Sequence, residues 1–155
     1  MNGLKGDSEV VRALLGYNVD KNPKVKNGWT PLHFAVWNGH SEVCRILLEN
    51  NVDKNAATTD TAHTPLHLAA KKGHSEVCRI LLEHQVDQNL KDSVELAPLH
   101  LAALEGHSEA CRILILNKDL AVNGGRTPLH LAAYKGHAEV CRKVIHLCYR
   151  FFESS

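Results

Sequence analysis

The sequence predicts an all-α solenoid of stacked helix-turn-helix units. Three observations carry that prediction. The eleven residues GHSEVCRILLE at Gly39–Glu49 return unchanged at Gly73–Glu83. The Gly-His pair recurs at Gly39-His40, Gly73-His74, Gly106-His107 and Gly136-His137, at intervals of 34, 33 and 30 residues. Nine residues ahead of each of these glycines a second motif begins: Thr30-Pro-Leu-His33, Thr64-Pro-Leu-His67, Ala97-Pro-Leu-His100 and Thr127-Pro-Leu-His130. Chance identity over eleven positions is negligible, and a period of about 20–50 residues marks an array of stacked units. One helix pair cannot bury its own apolar face, so the copies must bury it against each other.

Taken in order, the chain opens with a degenerate copy that starts at Gly6-Asp7, 33 residues before Gly39. Only Met1 to Lys5 precede it, so it has no room for a Thr-Pro-Leu-His helix and amounts to half a unit. In the first complete copy Thr30 suits an N-cap, and Pro31 suits the first turn, where no backbone N–H is needed. PLHFAVWN then predicts a short helix, closed at Gly39 by a residue free to take positive φ. Ser41 offers the next N-cap, and EVCRILLE spaces Val43, Cys44, Ile46 and Leu47 as a helical apolar stripe. NNVDKNAATTD is rich in Asn, Asp and Thr and reads as loop and turn. The later copies repeat this order, with Ala97 in the place of the capping threonine. Arg45, Arg79, Arg112 and Arg142 each follow Glu42, Glu76, Glu109 and Glu139 by three residues, which predicts a surface ladder of pairs within each helix.

A period near 33 with Thr-Pro-Leu-His-x-Ala and Gly-His resembles the ankyrin repeat, over nearly the whole chain. The resemblance implies one domain, 1–155, made of a partial repeat 1–27 and repeats 28–61, 62–94, 95–124 and 125–155. It also implies β-hairpin-like finger loops between repeats, hydrogen bonds from the Thr-Pro-Leu-His histidines to neighbouring repeats, and a turn shaped by Gly-His. The finger after the fourth copy, NGGR, is expected to be stunted, since Asn123 lies only four residues before Thr127. The last helix carries Tyr149, Phe151 and Phe152. Terminal repeats normally have polar caps, so either these aromatics pack back or the chain was cut from a longer array.

Composition bounds the function. Lys and Arg number 18 against 17 Asp and Glu, which gives no drive toward nucleic acid or an anionic membrane. No apolar run reaches a membrane span of about 18 residues, no secretory signal opens the chain, and Asn2 replaces the glycine that myristoylation needs. A soluble protein is expected. Cys44, Cys78, Cys111 and Cys141 occupy matching places in the repeat. Stacked helices lie about 8–10 Å apart, beyond the reach of a disulfide, so these and Cys148 read as thiols and favour cytoplasm or nucleus.

Eleven histidines invite a metal reading, with His33 and His40 seven apart and Cys44 four after His40. As repeated motif positions they are instead structural, and no metal or cofactor is expected. Each cysteine sits mid-helix on the apolar stripe, where a thiol acts as a small hydrophobe. No Gly-x-Ser-x-Gly, phosphate loop or carboxylate pair appears, so the chain reads as non-catalytic.

The informative residues are those that do not repeat. In ankyrin domains partners dock on the concave face formed by finger tips and the exposed ends of the first helices. The resemblance carries that face onto Lys5; Trp29, Trp37 and Asn38; His63, Lys71 and Lys72; Leu96, Leu104 and Glu105; and Arg126, Tyr134 and Lys135. Both tryptophans of the chain fall in this set, with Tyr134, and these are the residue types enriched at binding hot spots. Five Lys or Arg stand there against one acidic residue. The expected function is a monomeric protein-binding module for an acidic or mixed protein segment. The competing readings are a spacer or scaffold segment that binds nothing, and nucleic-acid binding along the basic strip, which the near-neutral chain disfavours.

Overall fold

In the computed structural model residues 3–17, 19–116 and 126–152 are described, with side chains for 8–17, 19–115 and 126–147. The helices are α1 (Gly3–Gly16), α2 (Pro31–Trp37), α3 (Ser41–Glu49), α4 (Pro65–Lys72), α5 (Ser75–Glu83), α6 (Pro98–Leu104), α7 (Ser108–Leu116), α8 (Pro128–Lys135) and α9 (Ala138–Phe152). They form two columns. The first helices of the repeats stack as α2, α4, α6 and α8, and the second helices as α1, α3, α5, α7 and α9. The core lies between the columns, where Leu32, Leu66 and Leu99 of the first helices and Leu47, Leu81 and Leu114 of the second are buried in one cluster. Each such side chain contributes about 1.5–3 kcal/mol by leaving water.

The repeated phrase forms what its letters predict. Proline opens α2, α4, α6 and α8, and Gly39, Gly73, Gly106 and Gly136 close the turn between paired helices at φ of +71, +70, +82 and +77°. The half repeat departs from this pattern. Gly6, aligned with Gly39, stands inside α1, which runs through this position as one helix where the later copies have a turn between two.

The fingers are hairpin-like turns, and among the described residues none is long enough to make a strand. Each is closed by a pair of backbone bonds: Val25 N–H to Trp29 O and Gly28 N–H to Val25 O, Thr58 N–H to His63 O and Ala62 N–H to Thr58 O, Asp92 N–H to Leu96 O and Glu95 N–H to Asp92 O. The second and third also donate to the finger before them, through Thr59 N–H to Asn27 O and Ser93 N–H to Thr61 O. Below them the Asn22 and Asn55 side-chain oxygens accept from the Asp53 and Asp87 N–H groups of the following repeats, at 2.7 and 3.0 Å. The fourth connection, including NGG of the expected stunted finger, lies outside the described residues, as do the side chains of Cys148, Tyr149, Phe151 and Phe152.

One local expectation needs correction. The charge ladder runs between repeats as well as within helices: Arg12 pairs with Glu42, Arg45 with Glu76 and Glu83, and Arg79 with Glu109. Pairs three residues apart form in α5, α7 and α9, but Arg45 reaches forward to α5, where it has two carboxylates to choose from. Such exposed pairs are worth about 0–1 kcal/mol each. Thr30, Thr64 and Thr127 stand at the N-caps as expected, their hydroxyls 2.9, 2.8 and 2.7 Å from the Nδ1 of His33, His67 and His130, and Thr127 Oγ1 also accepts the His130 N–H.

Candidate protein-binding face

Two columns of histidine build the frame of this face. In the first, the Thr30 N–H donates to His33 Nδ1 at 3.1 Å and the Thr64 N–H to His67 Nδ1 at 3.2 Å. A nitrogen that accepts a backbone N–H carries no proton, so the proton sits on Nε2. His33 Nε2 then donates to His63 O at 3.3 Å, and His67 Nε2 to Leu96 O at 3.0 Å. Each of these bonds points forward, into the next finger. Burial holds the His33 ring below its ordinary pKa and pushes His67 down to about 4, against the pull of the carbonyls it serves. Both rings are neutral at physiological pH.

The second column is the Gly-His histidine, and it points backward. His74 Nε2 donates to Trp37 O at 3.2 Å, His107 Nε2 to Lys71 O at 3.0 Å and His137 Nε2 to Leu104 O at 3.0 Å. The glycine of the preceding repeat makes room for the ring. A Cβ on Gly73 would stand 2.5 Å from His107 Nδ1, and one on Gly106 2.8 Å from His137. Positive φ and close approach are therefore two separate reasons for one glycine.

The non-repeating residues stand on these pinned carbonyls. His63 and Leu96 are held by the forward bonds, and Trp37, Lys71 and Leu104 by the backward ones. Trp29 packs on Phe34 at 5.1 Å, the hydrophobic staple between the residue before an N-cap and the fourth helical residue. Trp29 and Trp37 meet edge to face at 5.5 Å, and both are half-buried against the core. From the next repeat Lys72 lays its ammonium 3.7 Å from the centroid of the Trp37 ring. Such a cation–π contact is worth about 0.5–1 kcal/mol at an exposed site.

Placement of the remaining predicted residues is uneven. Asn38, Glu105, Arg126 and Lys135 are exposed, Lys71, Leu96 and Leu104 half-buried, and Tyr134 is 82% exposed. His63 does not reach the surface. It is 8% exposed, stacked on His67 and 3.4 Å from Asp92 Oδ2, so it supports the finger from within. The side chain of Lys5 lies outside the described residues. Sequence reasoning missed Val25 and Val94, which stand exposed on the first and third fingers at 50 and 67%. A valine in a run of turn residues was the available signal.

No helix among the described residues is long and apolar enough to cross a membrane. A comparison with curated proteins finds no match. A family model described as ankyrin repeats (3 copies) matches residues 3–92 and 85–150. Ankyrin repeats are in general protein–protein interaction modules and are typically non-catalytic. With the matches spanning most of the sequence and two columns of stacked helix pairs in the structure, this chain belongs to the ankyrin-repeat family.

Proposed function

We propose that the chain is a non-catalytic module that binds an acidic or mixed protein segment on its concave row of fingers and first-helix ends. One observation carries the reading. The repeated histidines bond to the backbone carbonyls of the very positions whose side chains differ from repeat to repeat. A frame that fixes backbone and leaves side chains unlike is suited to recognition rather than to spacing alone. The half-buried Trp29–Trp37 pair supplies anchors, and Lys71, Lys72, Arg126 and Lys135 stand against Glu105 in that row. A basic rim of this kind steers an acidic partner. The buried thiols support residence in cytoplasm or nucleus, with the domain acting as a monomer.

The test combines partner capture with energetics. Proximity labelling in cells, wild type against a Trp29→Ala/Trp37→Ala double variant, identifies proteins whose labelling depends on the anchors. With that partner, Trp37→Ala should weaken binding by about 2 kcal/mol or more, as hot-spot residues do. Lys71→Glu with Lys72→Glu should chiefly slow association and flatten or invert its salt dependence, because the attraction that salt screens has been removed. Arg45→Glu, on the outer ladder, should change neither. If the double variant labels the same proteins as wild type, the concave reading fails.

A further inference from the structure

The two ends of the stack reveal which way each first-helix position faces. Ala133 of α8 is exposed, while its counterparts Val36, Ala70 and Ala103 are fully buried, so this position faces the following repeat. Phe34 of α2 is 48% exposed, while its counterparts Leu68, Leu101 and Leu131 are all buried. That position faces the preceding repeat. On the second helices Val43 is half-buried, where Val77, Ala110 and Val140 are sealed. Among the described residues α1 stands in the second column with no first-column helix beside it, and a groove of about 950 Å³ opens there. Val11, Leu14, Leu15, Phe34, Val43 and His40 are among its lining residues.

We infer that this groove binds a short α-helix of a partner protein, seated as the first helix of a preceding repeat would be. The chain itself states the chemistry of the occupant. The same face is covered by α2 on α4, by α4 on α6 and by α6 on α8. The covering helices are seven or eight residues long and present a small aliphatic residue, Val36, Ala70 or Ala103, to the face they cover. In each case the Gly-His histidine of the covered repeat donates to a carbonyl near the end of the covering helix. His40 holds the equivalent place at the groove and is exposed. The occupant is therefore a helix of about two turns with Ala or Val toward Phe34 and its C-terminal carbonyls toward His40 Nε2. The groove continues the established repeat-to-repeat interface by one step. It adjoins the concave row at Trp29, whose ring packs on Phe34, but does not depend on binding there.

The probe is a blocked synthetic peptide with the sequence of residues 62–73, AHTPLHLAAKKG, whose own helix fills the corresponding seat against α6. Titrated into the full ¹⁵N-labelled chain, it should shift the amides of Val11, Leu14, Phe34 and His40 saturably. Leu14→Asp and Phe34→Asp should each weaken that binding by about tenfold or more, since a carboxylate would be covered without a partner. Leu14 is 55% exposed in the free protein, so Leu14→Asp should leave the melting temperature unchanged, which shows that folding is not the cause. A peptide carrying Ala70→Asp should not compete. The inference is overturned if millimolar peptide leaves the groove amides unmoved, or if shifts appear only on α8 and α9. It is equally overturned if sedimentation shows self-association that Leu14→Asp abolishes, which would make a second copy the occupant.

Discussion

Acid should loosen this stack well before its carboxylates are neutralised. His67 accepts the Thr64 N–H on Nδ1 and donates to Leu96 O from Nε2, so a second ring proton would set N–H against N–H. Burial is the chief reason its pKa falls to about 4, with the nearby His63 adding to the fall and Asp92 opposing it. In the unfolded chain the same ring titrates near about 6.5. The folded value is the lower one, so the unfolded chain takes up the proton first as pH falls. The stabilisation is thus complete above about pH 6.5 and drains away toward pH 4. Down to pH 5 the loss through His67 is about 2 kcal/mol. His33 and His63 are lowered too, mainly by burial, and steepen the slope. Urea unfolding between pH 7 and 5 measures the loss, and a nuclear magnetic resonance titration of the His67 ring assigns it. The ring should stay neutral with its proton on Nε2 throughout. A ring that titrates near pH 6.5 in the folded protein, or a flat stability profile, would refute the reasoning.

The frame makes further predictions. Gly73→Ala should cost about 2–3 kcal/mol, combining left-handed backbone strain with displacement of the His107 ring. Gly136→Ala has the same backbone but nothing within 4 Å of the new methyl, so denaturant midpoints should show only about 1–2 kcal/mol. Ala97→Thr should stabilise by about 0.5–1.5 kcal/mol, the worth of one hydrogen bond, through a hydroxyl placed against His100 Nδ1 as Thr64 is against His67; an unchanged or lowered midpoint contradicts it. Cys44, Cys78 and Cys111 should resist thiol reagents in the folded protein, since burial pushes each thiol up to about 12; rapid native labelling would count against the buried column.

The fold was legible because its information is written several times. Four copies of Pro-Leu-His and Gly-His placed the helices and their turns, and the spacing of Cys44, Ile46 and Leu47 named the core face. What escaped the letters depends on what lies across an interface. Arg45 has Glu42 three residues away in sequence but meets Glu76 and Glu83 from the next helix in space. His63 aligns with Trp29 and Leu96, yet Asp92 of the following finger draws it inward. Phe34 occupies a core position by alignment yet is 48% exposed, since no described helix lies across its face as α2 lies on α4. Two identical phrases can therefore have different surroundings, and only the stack decides which.

Because the histidine columns bond to carbonyl oxygens, they are blind to the side chain attached to the same residue. Every amino acid carries that oxygen, so Trp37, Lys71 and Leu104 are held alike despite sharing no chemistry. Substitution at these places changes what is displayed without touching what does the holding. Binding preference and foldability are thereby separated into different atoms of one residue. A lineage built on such a frame can exchange partners by single steps, each intermediate still folded, and a designer can randomise the same row with little risk to the scaffold.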